Sequence, residues 1–294
     1  MGLNELQLAE RQQGLGGSDA APALGLSPWK SPLELYLEKR EQTPIPAPDS
    51  AAQRWGLLLE PVIRQAYAER TGRVVRLPSG TLRHPAHPWM LAHVDGVTDD
   101  GRVVEIKTAR FGEGWGSRES EDDVPYHYLL QVQHYLAVTG FKIADIAVLI
   151  GGNDFRVYQV PADTELQTLV IDGERSFWDL VEQGAAPEPA WEGADVCKIL
   201  ERLYPGTDGR TLYATSAQTK WRSIYEEARQ HAESYQQAAE GAKAHLLHEM
   251  GTATRLLFDD GMQLRRRIVQ RKAYSVAPGS YIDARFTKVK EEKA

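Results

Sequence analysis

Asp95, Glu105 and Lys107 are the residues whose types and spacing point most directly to chemistry. Val94-Asp95-Gly96 is followed, across the polar turn Asp99-Asp100-Gly101, by Val104-Glu105-Ile106-Lys107. Met90 to Val97 and Arg102 to Thr108 read as the two strands of a hairpin, with glycine at the left-handed turn position. Positions 95 and 105 are equidistant from 100, so this hairpin sets Asp95 opposite Glu105. Side chains alternate across a strand, which gives Val103, Glu105 and Lys107 one face and Val104 and Ile106 the other. Like charges directly opposite on a sheet destabilise it by up to about 1 kcal/mol, and a divalent cation between them reverses that effect. Lys107 beside them can orient or deprotonate a water, or offset charge on a phosphate. This is the set a metal-dependent phosphodiesterase needs. The same spacing also arises by chance, and a buried structural ion pair is the non-catalytic alternative.

The elements around the hairpin decide how the set is completed. Ala51 to Arg70, closed by Gly72, has helical periodicity, with a kink expected at Pro61. Leu57, Leu58, Val62 and Ala66 are expected to turn that helix into the core, leaving Glu60 free to point at the hairpin as a third carboxylate. Tyr126 to Val138 reads as another helix, with Tyr128, Gln131 and Tyr135 on one face and Leu129, Val132 and Leu136 as its buried stripe. Arg110 to Val124 between them is Gly-rich, charged and aperiodic, and reads as a mobile loop. Upstream, Ser18 to Leu24 forms a short helix stopped by Gly25, and Ser31 caps a second one running to about Glu41. Pro44, Pro46 and Pro48 make an extended linker. Downstream, Ala144 to Ile150 and Phe155 to Val160 form a second hairpin that extends the sheet, and a helix follows from Asp163 to Gln183.

Five ordered blocks in the first 160 residues resemble a known family. They are Gly16-Gly17-Ser18-Asp19 leading to Leu26-Ser27-Pro28-Trp29-Lys30-Ser31-Pro32, then Leu59-Glu60-Pro61, Asp95, Glu105-x-Lys107, and Tyr128-x-x-Gln131-Val132-Gln133. Together they resemble the YqaJ-type viral recombinases, relatives of phage lambda exonuclease within the PD-(D/E)xK nuclease superfamily. The one departure is that no proline precedes Asp95.

The resemblance implies an α/β fold, a central mixed β-sheet flanked by helices with a restriction-endonuclease-like core. It implies a Mg²⁺- or Mn²⁺-dependent deoxyribonuclease that digests one strand of double-stranded DNA ends from the 5′ terminus, leaving a 3′ overhang for a single-strand annealing protein. Asp95, Glu105 and the Ile106 carbonyl would hold metal, Glu60 would complete a second position, and Lys107 would activate water. Gln131 and Tyr128 would contact the phosphate or support those ligands. Hard oxygen donors suit Mg²⁺ or Mn²⁺. Arg11 and Ser18 would hold the 5′-terminal phosphate, and a ring-shaped homo-oligomer around the duplex is expected. The alternatives are a restriction- or repair-type endonuclease with the same chemistry and a non-catalytic DNA-binding recombination module.

Composition bounds the rest. With 294 residues there is room for one large domain and an appendage. The Pro-bearing stretch Ala185 to Gly193 suggests a nuclease domain over 1–185 and a C-terminal extension over 186–294. That extension holds a long helix, Ala214 to Glu249, and a hairpin, Ala253 to Phe258 and Met262 to Val269, carrying the basic run Arg265-Arg266-Arg267. Cys197 is the single cysteine, which excludes intrachain disulfides and a cysteine-based zinc site. No apolar run approaches a membrane span, and Met1 to Arg11 is too polar for a signal peptide, so a cytoplasmic protein is expected, in a bacterial host if phage-derived.

The net charge of −7 is uneven: residues 214 to 294 carry fourteen Lys and Arg against ten Asp and Glu, and residues 1 to 213 carry twenty against thirty-one. An acidic body with a more basic tail suits an enzyme that grips DNA locally. His84, His87 and His93 near Asp95 match no zinc signature. Neither a phosphate-binding G-x(4)-G-K-[ST] loop nor a G-x-S-x-G elbow is present.

Overall fold

A computed structural model describes residues 10–40, 51–116, 124–193 and 196–270. The expected linker prolines 44, 46 and 48 lie outside the described residues, as do positions 117–123 of the expected loop. Two compact units divide the chain, Met1–Tyr204 and Pro205–Ala294.

In order, the first unit contains β1 (Leu15–Gly16), α1 (Gly17–Ala23), α2 (Pro32–Arg40), α3 (Ala51–Thr71), β2 (Val75–Arg76), β3 (Leu82–Arg83), β4 (Met90–Ala92), β5 (Gly96–Thr98) and β6 (Arg102–Ala109). It continues with α4 (Tyr126–Thr139), β7 (Ile143–Ile150), β8 (Asp154–Pro161), α5 (Thr164–Gln183) and α6 (Val196–Leu203). The main sheet is mixed, in the order β2-β5-β6-β7-β8. Its one parallel pair is β6 with β7, and α4 supplies the crossover that parallel neighbours require. A smaller sheet of order β1-β4-β3 stands beside it. Mixed sheets flanked by helices are therefore the architecture.

The hairpin register is the expected one, with Gly96 opposite Val104 and Val97 opposite Val103. One expectation needs correction. Met90 to Val97 is not a continuous strand, because β4 ends at Ala92 and pairs in the small sheet while β5 starts at Gly96 in the large one. His93, Val94 and Asp95 carry the chain from one sheet to the other. Gly96 sits so close beneath β2 that a Cβ there would lie 2.4 Å from Val75 Cγ1. The step between sheets takes Asp95 out of the ladder, so that its side chain rather than its backbone meets β6.

Alternation along β6 sorts its side chains between two apolar layers. Val103 joins the larger cluster, with Val132, Tyr135 and Leu136 of α4 and Phe177 and Trp178 of α5. Val104 and Ile106 pack on the opposite side with Ile63 and Tyr67 of α3 and Ala147 of β7. The expected core face of α3 is corrected by this packing: Leu57, Leu58 and Val62 are exposed. The buried stripe runs through Leu59, Ile63 and Tyr67, spaced four residues apart, and Leu57, Leu58 and Val62 lie off that line. Pro61 lies within one uninterrupted α3.

Helix α4 is enclosed nearly all round, burying Gln131, Gln133 and His134 along with Leu130, Val132 and Leu136, while Leu129 of the expected stripe is only partly buried. His134 is fully buried, with Nδ1 2.7 Å from Glu174 of α5 and Nε2 2.9 Å from the Leu91 carbonyl. Helix α5 starts at the Asp163 cap and ends at Gly184 in the left-handed conformation. Ile199, Leu200 and Leu203 of α6 pack against the core of the first unit, whose contacts reach Tyr204.

The second unit holds α7 (Ser216–Met250), capped by Thr215, and the antiparallel hairpin β9 (Arg255–Leu257) and β10 (Gln263–Arg265). No helix among the described residues is long and apolar enough to cross a membrane.

Candidate active site

Alternation along β6 puts Glu105 and Lys107 on one face, and the link between the sheets, not the expected ladder pairing, brings Asp95 to them. Asp95 Oδ2 accepts the Ile106 N–H at 2.8 Å, so the carboxylate is tied to the strand that carries the other two. Lys107 Nζ pairs with Glu105 Oε1 at 2.6 Å. Gln131 of α4 joins both ends of that pair: its amide nitrogen donates to Glu105 Oε1 at 2.7 Å, and its carbonyl accepts from Lys107 at 3.0 Å. The same nitrogen lies 3.1 Å from the Tyr135 hydroxyl, which donates to the His93 carbonyl at 3.2 Å. Lys107 Nζ also stands 4.6 Å from the centre of the Tyr128 ring, a cation–π distance.

Glu60 reaches the same place from α3. It pairs with Arg64 one turn on, and Arg64 Nε donates to the Asp95 carbonyl at 2.9 Å. Glu60, Asp95, Glu105, Lys107, Gln131 and Tyr128 are thus assembled from α3, β6, α4 and the link between the sheets.

The electrostatics show a surplus of negative charge. Burial, then the neighbouring Glu105, pushes Asp95 up to about 8. Burial pulls Lys107 down, but Glu105, Asp95 and Tyr128 outweigh it and hold the ammonium above its ordinary value. Tyr128 is raised by burial against the opposing pull of Lys107. Glu105 Oε2 is buried without a hydrogen-bond partner, a costly arrangement for a carboxylate oxygen. An orphaned buried oxygen and a repelled neighbouring carboxylate fit a divalent cation held by Asp95, Glu105 and the Ile106 carbonyl. Among the described residues no group of three His, Cys, Asp or Glu side chains is set to hold a metal ion, so a cation here would take the Ile106 carbonyl and non-protein oxygens beside Asp95 and Glu105.

A second cluster adjoins this one through α4. Arg11 Nη2 lies 2.8 Å from Ser18 Oγ and 3.2 Å from Asp19 Oδ1. Asp19 is buried and receives Lys39 Nζ at 2.7 Å and the Gly16 N–H at 3.0 Å. Burial opposes the charge on Asp19, but Lys39 and Arg11 prevail and hold its carboxyl far below the usual range. Gly17 seats α1 on α4: a Cβ there would lie 2.5 Å from the Tyr135 ring and 2.9 Å from the Gln131 carbonyl. Only glycine fits at position 17, whereas a Cβ at Gly16 would meet nothing nearer than 3.8 Å.

Sequence reasoning did not find the parts played by Lys39, Arg64 and Asp19. Arg64 was accessible through its four-residue spacing from Glu60. Nothing in the sequence marks Lys39 as the partner of an aspartate twenty residues earlier. His84 and His93 are taken up locally, His84 Nδ1 by the N–H groups of Ala86 and His87 and His93 by Thr81 at 2.8 Å.

Residues 8–142 match the YqaJ-like viral recombinase domain. The uncharacterized protein YqaJ of Bacillus subtilis is 35% identical over 253 residues, spanning 84% of this chain and 78% of that one. The chain belongs to the YqaJ family. The fold is also that of an alkaline exonuclease from Laribacter hongkongensis, at 22% identity and a TM-score of 0.52, covering 62% of this chain and 94% of that one. A second structure of that exonuclease, in complex with dAMP, matches at 21% identity and the same TM-score, over 69% of this chain and 98% of the other. The family match covers the glycine block, α3, the hairpin and α4, which are the elements that build both clusters.

Proposed function

We propose that this YqaJ-family chain is a divalent-cation-dependent exonuclease that hydrolyses double-stranded DNA from its ends. The observation that carries the reading is Glu105, with one oxygen locked to Lys107 and Gln131 and the other buried and unpaired beside a repelled Asp95. The alkaline exonuclease fold supports the substrate class.

Asp95, Glu105 and the Ile106 carbonyl would hold Mg²⁺ or Mn²⁺, with Glu60 completing a second position. When bound, the cation supplies charge stabilisation for the phosphate and lowers the pKa of a coordinated water. Lys107 is an ammonium while Glu105 is uncompensated, and then it donates to water or to a phosphate oxygen. Once the charge on Glu105 is neutralised, burial draws Lys107 down towards a proton acceptor. Gln131 fixes the distance between Glu105 and Lys107, and Tyr128 floors the lysine. Hydrolysis from the 5′ end would leave a 3′ overhang for a single-strand annealing protein in phage-type recombination.

End-labelled linear duplex and closed circular duplex, each incubated with Mg²⁺, Mn²⁺ or a chelator, test this reading. Loss of linear duplex alone, abolished by the chelator, is expected. Cleavage of the closed circle would move the assignment to an endonuclease, and no cleavage of either would leave a DNA-binding module.

A further inference from the structure

The second unit carries a feature that the nuclease chemistry does not use. Helix α7 is 35 residues long and exposed along almost its whole length, a span of about 52 Å. Its side chains are not uniformly polar. Positions 221, 225, 228, 232, 235, 239, 242 and 246 are Trp, Tyr, Ala, Ala, Tyr, Ala, Ala and Leu, alternating by four and three residues without a break. That is an uninterrupted coiled-coil seam, and a seam of this kind is stable only against another helix. Trp221 is 69%, Tyr225 51% and Tyr235 75% exposed.

We infer that α7 is a self-association helix, pairing antiparallel with α7 of a second copy of this chain. The register follows from side-chain size. Centring the pair between 233 and 234 sets Trp221 opposite Leu246, Tyr225 opposite Ala242, Ala228 opposite Ala239, and Ala232 opposite Tyr235. Each tyrosine then meets an alanine, and only Ala228 with Ala239 and its symmetry mate are alanine-on-alanine layers. A parallel pair would stack Trp on Trp and Tyr on Tyr and leave four alanine-on-alanine layers instead of two.

The polar ends agree independently. Gln218 and Glu249 continue the same four-and-three spacing at the two ends of the seam, and the antiparallel register makes them partners, amide N–H facing carboxylate. A parallel pair would set Glu249 against its own copy. Arg222 beside the seam keeps its charge on its own helix, paired with Glu226 at 2.8 Å.

The area also suffices. At roughly 200 Å² per ring, the exposed parts of three aromatics from each of two copies come to about 800 Å². Eight alanines and two leucines bring the pair to the roughly 1,200 Å² at which specific interfaces begin. Ala214, Gln218, Trp221, Arg222 and Tyr225 line a shallow depression at the start of α7, where the Leu246 and Glu249 of the second copy would seat.

The test uses the full chain in a Cys197→Ser background, since Cys197 is exposed. Ala228→Cys with Ala239→Cys is expected to give a disulfide-linked dimer on mild oxidation, while Ala228→Cys alone is not, because 228 faces 239 of the other copy. Crosslinking by Ala228→Cys alone, or none by the double variant, would overturn the proposal. In sedimentation, Gln218→Glu sets like charges together and is expected to weaken association by roughly tenfold. Adding Glu249→Gln restores the pair with the groups exchanged. A double variant no stronger than Gln218→Glu would overturn the register, and unchanged far-ultraviolet dichroism shows that each variant keeps its helix.

Discussion

Gln131 holds Glu105 by donating its amide nitrogen at 2.7 Å across the gap between α4 and β6. Its other amide atom accepts from Lys107, so one uncharged side chain sets the spacing of a carboxylate and an ammonium. Gln131→Leu preserves volume and removes both bonds. DNA hydrolysis is expected to fall by about 10- to 100-fold, with Gln131→Glu no better because it adds a further negative charge to Glu60, Asp95 and Glu105. Thermal melting near that of the wild type, measured in parallel, separates this from a folding defect, and full activity of Gln131→Leu would remove the positioning role.

Glu105→Ala and Lys107→Ala should each abolish hydrolysis, by about 100- to 1,000-fold or more, while duplex binding stays nearly intact. Gel-shift titration alongside the end-label assay distinguishes the two effects. Near wild-type turnover of either variant in Mg²⁺ would exclude the catalytic assignment.

Asp95 predicts an opposition between stability and function. Its carboxyl sits at about 8 in the folded chain against an ordinary 3.8, so the folded state binds the proton more tightly than the unfolded one. In chelator, stability is therefore greatest below about pH 4 as far as Asp95 is concerned and is lost as pH rises towards about 8. Asp95→Asn should flatten that slope and melt higher than the wild type at pH 8 in chelator, yet be inactive. Added Mg²⁺ should raise the wild-type melting temperature at pH 8 and leave Asp95→Asn nearly unmoved. Identical pH slopes for the two proteins would rule out the charge surplus.

The hairpin was legible because its information is local. A two-residue period separates Val103, Glu105 and Lys107 from Val104 and Ile106, and a glycine turn at 101 fixes which residues face each other. The strand break at His93 to Asp95 was not, since those residues suit a strand and only the meeting of two sheets interrupts them. Helix α3 shows a related limit. It is apolar on more than one side, so composition does not reveal that Ile63 and Tyr67, rather than Leu57, Leu58 and Val62, meet β6 and β7. Buried pairs such as Asp19 with Lys39, or His134 with Glu174, join residues twenty and forty positions apart and depend on packing alone.

That buried Asp19–Lys39 pair predicts a structural phenotype. Both side chains are almost wholly enclosed, and Lys39 also donates to the Arg11 and Gly14 carbonyls at 2.7 and 2.8 Å. Asp19→Ala leaves the ammonium without its carboxylate and should cost about 3 to 5 kcal/mol in denaturant unfolding. A loss under about 1 kcal/mol would mean that the two carbonyls suffice to hold the charge.

Arg11 shares Asp19 but should behave differently, because its guanidinium is partly exposed and rests on the exposed Ser18 hydroxyl at 2.8 Å. Asp19 beneath anchors the arginine, leaving donors on the outer side of the fork for an anion. Placed across Gly17 from Gln131, this pair would, on the proposed function, take the terminal phosphate of a strand whose first scissile bond reached Glu105 and Lys107. The expected outcome is that 5′-phosphorylated duplex ends are degraded faster than 5′-hydroxyl ends. Arg11→Ala should shrink that preference while leaving the Mg²⁺ dependence unchanged, and Ser18→Ala should do the same more weakly. Equal wild-type rates on both kinds of end would discard the phosphate pocket, and with it the argument for 5′ polarity, while leaving the catalytic set on β6 untouched.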